Sequence, residues 1–173
     1  MAQVILVTKD NQVIGTSPLL KAHQNPPQLH RAVSILIFTT DNKLLLQKRS
    51  KHKPLWPLYW SNTCCTHPQV SETNLKAASR RLKQEMGIST KLKYQYTFEY
   101  QAKYNHKLSE HEIDAVFFGF TNQKPKLNQK EAVNFKYLSI KEIVKDLKAK
   151  PDQYTPWFKL IMKKITSSDI LTS

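Results

Sequence analysis

Cys65 and His67 are the first residues of this chain whose types and spacing suggest chemistry. A thiol stands two positions from an imidazole, just after a second cysteine, Cys64, and ahead of a segment carrying Arg80, Arg81 and Glu85. A Cys/His pair can act as nucleophile and base, but such groups normally meet from separate elements, and plain packing explains two loop residues equally well. A metal reading gathers more of the chain. His23, His30 and His67 offer imidazole nitrogens, and Glu110 and Glu112 offer carboxylate oxygens, from three separate segments. That donor set suits a divalent ion in an octahedral site. On a strand, residues 110 and 112 share a face, and carboxylates that close repel unless a cation lies between them. The three histidines belong to a total of six, and spacing alone does not separate a shared ion from a chance grouping.

These side chains need elements to hold them. Residues 71–86 read as a helix, with Leu75, Ala78, Leu82 and Met86 on one stripe and Gly87 as its stop. Residues 3–8 and the VIG run after KDNQ predict an N-terminal hairpin, and prolines at 18, 26 and 27 keep residues 17–28 irregular around His23. Residues 32–39 and 44–49 flank TDNK and predict a second hairpin of central strands. Leu92, Tyr94, Tyr96, Phe98 and Tyr100 alternate with polar residues, as in a half-buried strand, and residues 113–120 predict another strand with the glutamates at its entrance. A short strand at FKYLSI leads to a capping box at Ser139 and Glu142, and Thr155-Pro156 opens a last helix running to about Ile165.

Lys and Arg number 27 against 13 Asp and Glu, a net charge of +14. Such an excess attracts nucleic acid, acidic lipid or phosphorylated metabolites, although most of these lysines read as solvated surface. At 173 residues the chain fits one domain able to bury roughly 70% of its unfolded surface without staples. Two adjacent cysteines make a poor crosslink, and no secretory signal or run of about 18 apolar residues occurs. The expectation is a cytoplasmic protein with reduced thiols.

The helix segment resembles a degenerate Nudix signature, G-x5-E-x7-R-E-U-x-E-E-x-G-U, with Glu72, Arg80, Leu82, Glu85, Gly87 and Ile88 in register. Thr66, Arg81 and Gln84 replace the first glycine and two glutamates, which weakens the usual diphosphohydrolase site. With the loop W-x-N-x-x-C-x-H-P (Trp60, Asn62, Cys65, His67, Pro68), these departures resemble type 1 isopentenyl-diphosphate isomerases. The resemblance extends to the histidine pair at 23 and 30, Arg49 with Lys53, Glu110 with Glu112, and Thr155 to Trp157.

The resemblance implies a single α/β domain, a Nudix-type mixed sheet sandwiched between helices. Residues 1–27 would be an extension contributing to the metal site, 28–167 the catalytic domain and 168–173 a frayed tail. It implies that His23, His30, His67, Glu110 and Glu112 bind one divalent ion (Mn2+, Mg2+ or Zn2+), and that Glu85 and the Cys65 carbonyl hold Mg2+ with the substrate. Cys65 and Glu112 would transfer protons, Tyr100 and Trp157 would complete the catalytic set, and Arg49, Lys53 and Arg81 would bind diphosphate. Leu19 stands where the family usually has a lysine. A monomer or homodimer is expected, with neither nucleic acid nor membrane as partner. The alternatives are a Nudix diphosphohydrolase and a basic RNA-binding Nudix-fold module.

Overall fold

The computed structural model describes residues 2–167, and among them the strands form one nine-stranded mixed sheet. The expected tail at 168–173 lies outside the described residues. β1 (Gln3–Val7) and β2 (Val13–Pro18) pair antiparallel, and a one-turn helix, α1 (Leu19–Ala22), leads to β3 (His30–Phe38). β4 (Lys43–Arg49), β5 (Trp60–Ser61) and β6 (Cys64–Thr66) precede α2 (Asn74–Met86). β7 (Leu92–Lys103), β8 (Ser109–Phe120) and β9 (Ala132–Ser139) follow, then α3 (Ile140–Ala149) and α4 (Pro156–Ser167).

β3 is central, and its apolar run is buried on both faces, as a strand with a parallel neighbour requires. It runs parallel to β8 from His30 opposite Glu112 to Phe38 opposite Phe120. On its other side the expected hairpin is shorter than the sequence suggests. β4 pairs with β3 only at Ile37–Leu45 and Phe38–Leu44 and then diverges. β5 takes its freed edge at Gln47 and Lys48, and β6 takes its place beside Val33 to Ile35, while β9 lines its other edge from Lys43 to Arg49. This fork in the sheet positions the site.

Helices cover both faces. Ala78, Leu82 and Met86 of α2 pack on Val33, Ile35 and Ile37, and Ile143 of α3 with Trp157, Phe158 and Ile161 of α4 packs on Leu36, Phe38 and Leu46. The alternation along β3 feeds both cores. At about 25 cal/mol per Å2 of apolar surface removed from water, these two layers supply the main stabilising term.

Two expectations are corrected. α2 begins at Asn74, because Thr73 is its N-cap and accepts from Lys76 N–H at 3.2 Å, while Ser71 lies outside with φ 65°. Leu75, in the first turn, is therefore 46% exposed and not part of the buried stripe. The alternation of residues 92–100 also does not define one face. A register shift between Tyr94 and Tyr96 reverses the strand, so Leu92 joins the α2 core, Tyr96, Phe98 and Tyr100 join the α4 core, and Tyr94 is exposed.

Gly87 ends α2 as expected, with φ 67° and its N–H on the Lys83 carbonyl at 3.0 Å. A Cβ there would lie 2.9 Å from Lys126 Cβ and 3.1 Å from its carbonyl oxygen. Gly87→Ala is expected to destabilise the protein by about 1–2 kcal/mol and lower Tm by roughly 3–6 °C, measurable by thermal denaturation.

Candidate active site

β8 starts at Ser109, early enough that Glu110 and Glu112 share a face with Asp114, and all three are buried. Across the ladder Tyr100 stands opposite Glu112, and its hydroxyl lies 2.7 Å from Glu110 Oε2 and 2.6 Å from Glu112 Oε2. On the other side His30 stands opposite Glu112 in β3. His67 follows β6, and His23 follows α1, tied to β8 by the Ser109 N–H on its carbonyl at 2.8 Å. Residues 23, 30, 67 and 112 thus converge from four segments. Their ligand atoms all lie within 4.8 Å of one another.

The donor chemistry fits a cation. His30 Nδ1 must carry a proton, because it donates to the Gln28 carbonyl at 2.7 Å. When that ring is neutral its Nε2 presents a lone pair, 3.2 Å from His23 Nε2 and 3.3 Å from Glu112 Oε1. His67 Nε2 lies 2.8 Å from the same carboxylate oxygen. Burial lowers the His23 pKa to about 3 and lowers that of His67 as well, so neither ring readily becomes an imidazolium. A divalent ion satisfies these crowded lone pairs without extra protons. Glu110, expected as a fifth ligand, lies outside the close group and faces Tyr100. Burial, and then the charge of Glu112, pushes its carboxyl well above the usual range.

The fork between β4 and β6 opens a cleft of about 720 Å3 onto this cluster. Strand alternation sends adjacent cysteines to opposite sides: Cys64 is fully buried beneath α2, and Cys65 lines the cleft. Burial pushes the Cys65 thiol up to about 12, with the Arg49 guanidinium opposing. Arg49 is held by the Trp56 carbonyl at 3.0 Å and the Leu55 carbonyl at 2.8 Å, which leaves Nη1 3.7 Å from Cys65 Sγ. Its guanidinium also sits 5.1 Å over the Trp157 ring. Trp157 Nε1 donates to Asn62 Oδ1 at 3.0 Å, and Asn62 Nδ2 donates to the Cys64 carbonyl at 2.8 Å, so the cysteine loop and α4 are locked together.

At the cationic lip, Lys53 and Arg81 line the cleft. Glu85 is fully buried; its Oε1 accepts from Arg81 Nε at 3.0 Å, while Oε2 has no hydrogen-bond partner among the described residues. A buried carboxylate oxygen left unpaired is costly, and a magnesium ion there would satisfy it. Glu72, one position before the N-cap, pairs with Arg80 at 2.7 Å, which makes that signature pair a brace for the helix entry. Sequence reasoning missed Glu131 and Asp114. Asp114 only extends the period of two, and it holds Ser34 Oγ at 2.7 Å. Glu131 had no local signal, since its partners lie 50 and 78 residues away in sequence.

Residues 28–158 match the NUDIX domain. A curated protein of Aromatoleum aromaticum named isopentenyl-diphosphate Delta-isomerase 2 is 39% identical over 165 residues, 95% of this chain and 87% of that protein. One of Pectobacterium atrosepticum named isopentenyl-diphosphate Delta-isomerase is 38% identical, across 95% of this chain and 92% of its own. The chain belongs to the isopentenyl-diphosphate Delta-isomerase family of Nudix proteins. Solved structures agree on the fold. A Deinococcus radiodurans protein aligns with TM-score 0.71 at 16% identity, covering 86% of this chain and 90% of its own, and the MutT protein of Methanosarcina mazei aligns with TM-score 0.67 at 17% identity, covering 80% and 94%. Within the isomerase family reading, Arg81 occupies a signature position that is glutamate in the ordinary Nudix pattern, and here it neutralises Glu85.

Proposed function

We propose that the protein interconverts isopentenyl diphosphate and dimethylallyl diphosphate by moving one double bond. The observation that carries this reading is that Cys65 and Glu112 enter one cleft from β6 and β8, the strands flanking β3 on its two sides. Isomerising an unactivated alkene protonates one carbon and removes a proton from another on the opposite face, through a tertiary carbocation. An acid and a base entering one cleft from opposite sides of β3 meet that demand, and their roles exchange in the reverse direction.

Tyr100 orients Glu112 by its hydroxyl, and Trp157 walls the pocket with an indole that stabilises positive charge without trapping it. Arg49 over that ring indicates that the ring face accommodates a cation here. Lys53 and Arg81, with Arg49, grip diphosphate through charge-assisted hydrogen bonds. When bound, a divalent ion held by His23, His30, His67, Glu112 and Glu110 sets the acidity of Glu112, and Mg2+ at Glu85 and the Cys65 carbonyl neutralises diphosphate charge. Water exclusion falls to the aromatic wall and the loop bearing Leu55 and Trp56, both buried.

The same reading places the protein in the cytoplasm as a monomer or homodimer, with a small isoprenoid diphosphate as partner and no role for nucleic acid. Both cysteines are free thiols, and among the described residues no helix is long and apolar enough to cross a membrane. Proton NMR of the protein with isopentenyl diphosphate and magnesium in deuterated water tests the reading. Dimethylallyl diphosphate carrying deuterium is the expected product. Unchanged substrate with metal demonstrably bound would sink it, and release of inorganic phosphate instead would favour the hydrolase.

A further inference from the structure

Lys53 and Arg81 reach the cleft from elements far apart in sequence, the loop after β4 and the helix α2. Each is a long cation that, left to itself, samples many rotamers in water. One carboxylate restrains both. Glu131 Oε2 accepts a short hydrogen bond from Lys53 Nζ, and Glu131 Oε1 lies 3.0 Å from Arg81 Nη2. Glu131 is itself fixed by its backbone: its N–H donates to the Asn128 carbonyl at 2.8 Å, and its carbonyl accepts from the Ser50 N–H at 2.9 Å. That anchors it directly before β9, where the β4–β9 register shifts between Lys48 and Arg49. The side chains of Lys53, Arg81 and Glu131 are 18%, 22% and 22% exposed, so this bridge is shielded more than an ordinary surface pair.

We propose that Glu131 is a positioning residue for diphosphate recognition, holding Lys53 and Arg81 at the spacing that grips two linked phosphate groups. This rests on the isoprenoid diphosphate reading above and assigns a further part of the same site. The direction of its effect is what makes it testable. A carboxylate beside a bound anion repels it, so if net charge governed the site, removing Glu131 would tighten diphosphate binding. If orientation governs, removing it frees Lys53 and leaves Arg81 held by Glu85 alone, so the two cations repel, their spacing is lost and binding weakens.

The test is calorimetric binding of magnesium pyrophosphate to the wild type, Glu131→Gln and Glu131→Asp, beside isomerase kinetics on isopentenyl diphosphate and a Tm for each protein. Glu131→Gln is expected to bind about tenfold more weakly, with KM raised in parallel and kcat changed by less than about threefold, the pattern of lost uniform binding. Glu131→Asp keeps the charge but is one methylene shorter, and about threefold weaker binding is expected. A merely structural role would move Tm and leave the KM-against-kcat split absent. Equal or tighter binding by Glu131→Gln overturns the inference, and should that variant not fold, unchanged or tighter binding by Glu131→Asp does so on its own. A wild type that binds pyrophosphate but turns over no isopentenyl diphosphate defeats the isomerase reading, while weaker binding by the variants would still support the anchoring role. A wild type that binds no pyrophosphate overturns both.

Discussion

Cys65→Ala is expected to lose isomerisation by roughly 10^2- to 10^4-fold in kcat, the size of a missing proton-transfer group, while its fold and metal affinity stay near wild type. The Cys65 thiol lines the cleft and is only partly buried at the edge of the α4 core, whereas Cys64 is fully buried within the α2 core. Arg49, whose Nη1 lies 3.7 Å from the sulfur, keeps both loop carbonyl bonds when the sulfur is gone. Glu112→Gln is expected to cost as much, because the amide can neither take nor give the proton. The double variant should be little worse than either single one, since the two residues serve one step. Cys64→Ala is the informative control. That side chain is fully buried among Ala78, Leu82 and Val33, so its truncation lowers stability by roughly 1–2 kcal/mol while turnover remains. Equal activity losses at the two cysteines would contradict the assignment of opposite faces. Single-turnover kinetics beside thermal denaturation separates the outcomes.

The sequence carried those parts of the fold and site that depend on local rules. The capping box at Ser139 and Glu142, the proline start of α4 and the left-handed stop at Gly87 all involve residues within a few positions of each other. The period of two put Glu110 and Glu112 on one face, and the early start of β8 at Ser109 is what made that relevant. What the sequence did not disclose is long-range. No local signal marks where β4 leaves β3, because the strand runs on without proline or glycine, and the polar Gln47 and Arg49 beyond the fork are buried, as Leu44 to Leu46 before it are. The bulge at Tyr94–Tyr96 sits inside a run whose alternation is unbroken, so an extra residue in the ladder moves Leu92 to the opposite core without any change of pattern. Glu131 was invisible for the same reason: nothing in NQKEAV distinguishes a solvated glutamate from one that bridges two distant cations. The resemblance to the isomerases filled part of this gap, since it gathered His23, His30 and His67 before any distance was known.

Chelation is expected to abolish isomerisation and lower thermal stability, and a divalent ion to restore both. At a free ion concentration about 100-fold above Kd, binding to the folded state alone adds about 2.7 kcal/mol, which raises Tm by roughly 5–10 °C in a chain of this size. The ligands explain which protons move. His23 is already neutral down to a pKa of about 3, so it has no proton to lose on binding near neutral pH. Glu110 is different. Burial first, and then the Glu112 charge, raises its carboxyl well above the ordinary 4.5, so the metal-free protein retains a proton there in a pH range where a free glutamate has lost it. A cation that recruits Glu110 expels that proton, and affinity therefore rises with pH across the window above 4.5 and up to the raised value. Calorimetry in two buffers of different protonation enthalpy, within that window, counts the released proton. Glu110→Gln should keep the close group of His23, His30, His67 and Glu112 and lose the proton release. Identical release by the variant and the wild type would remove Glu110 from the ligand set and leave it paired with Tyr100, because a carboxyl that coordinates the ion must give up its proton.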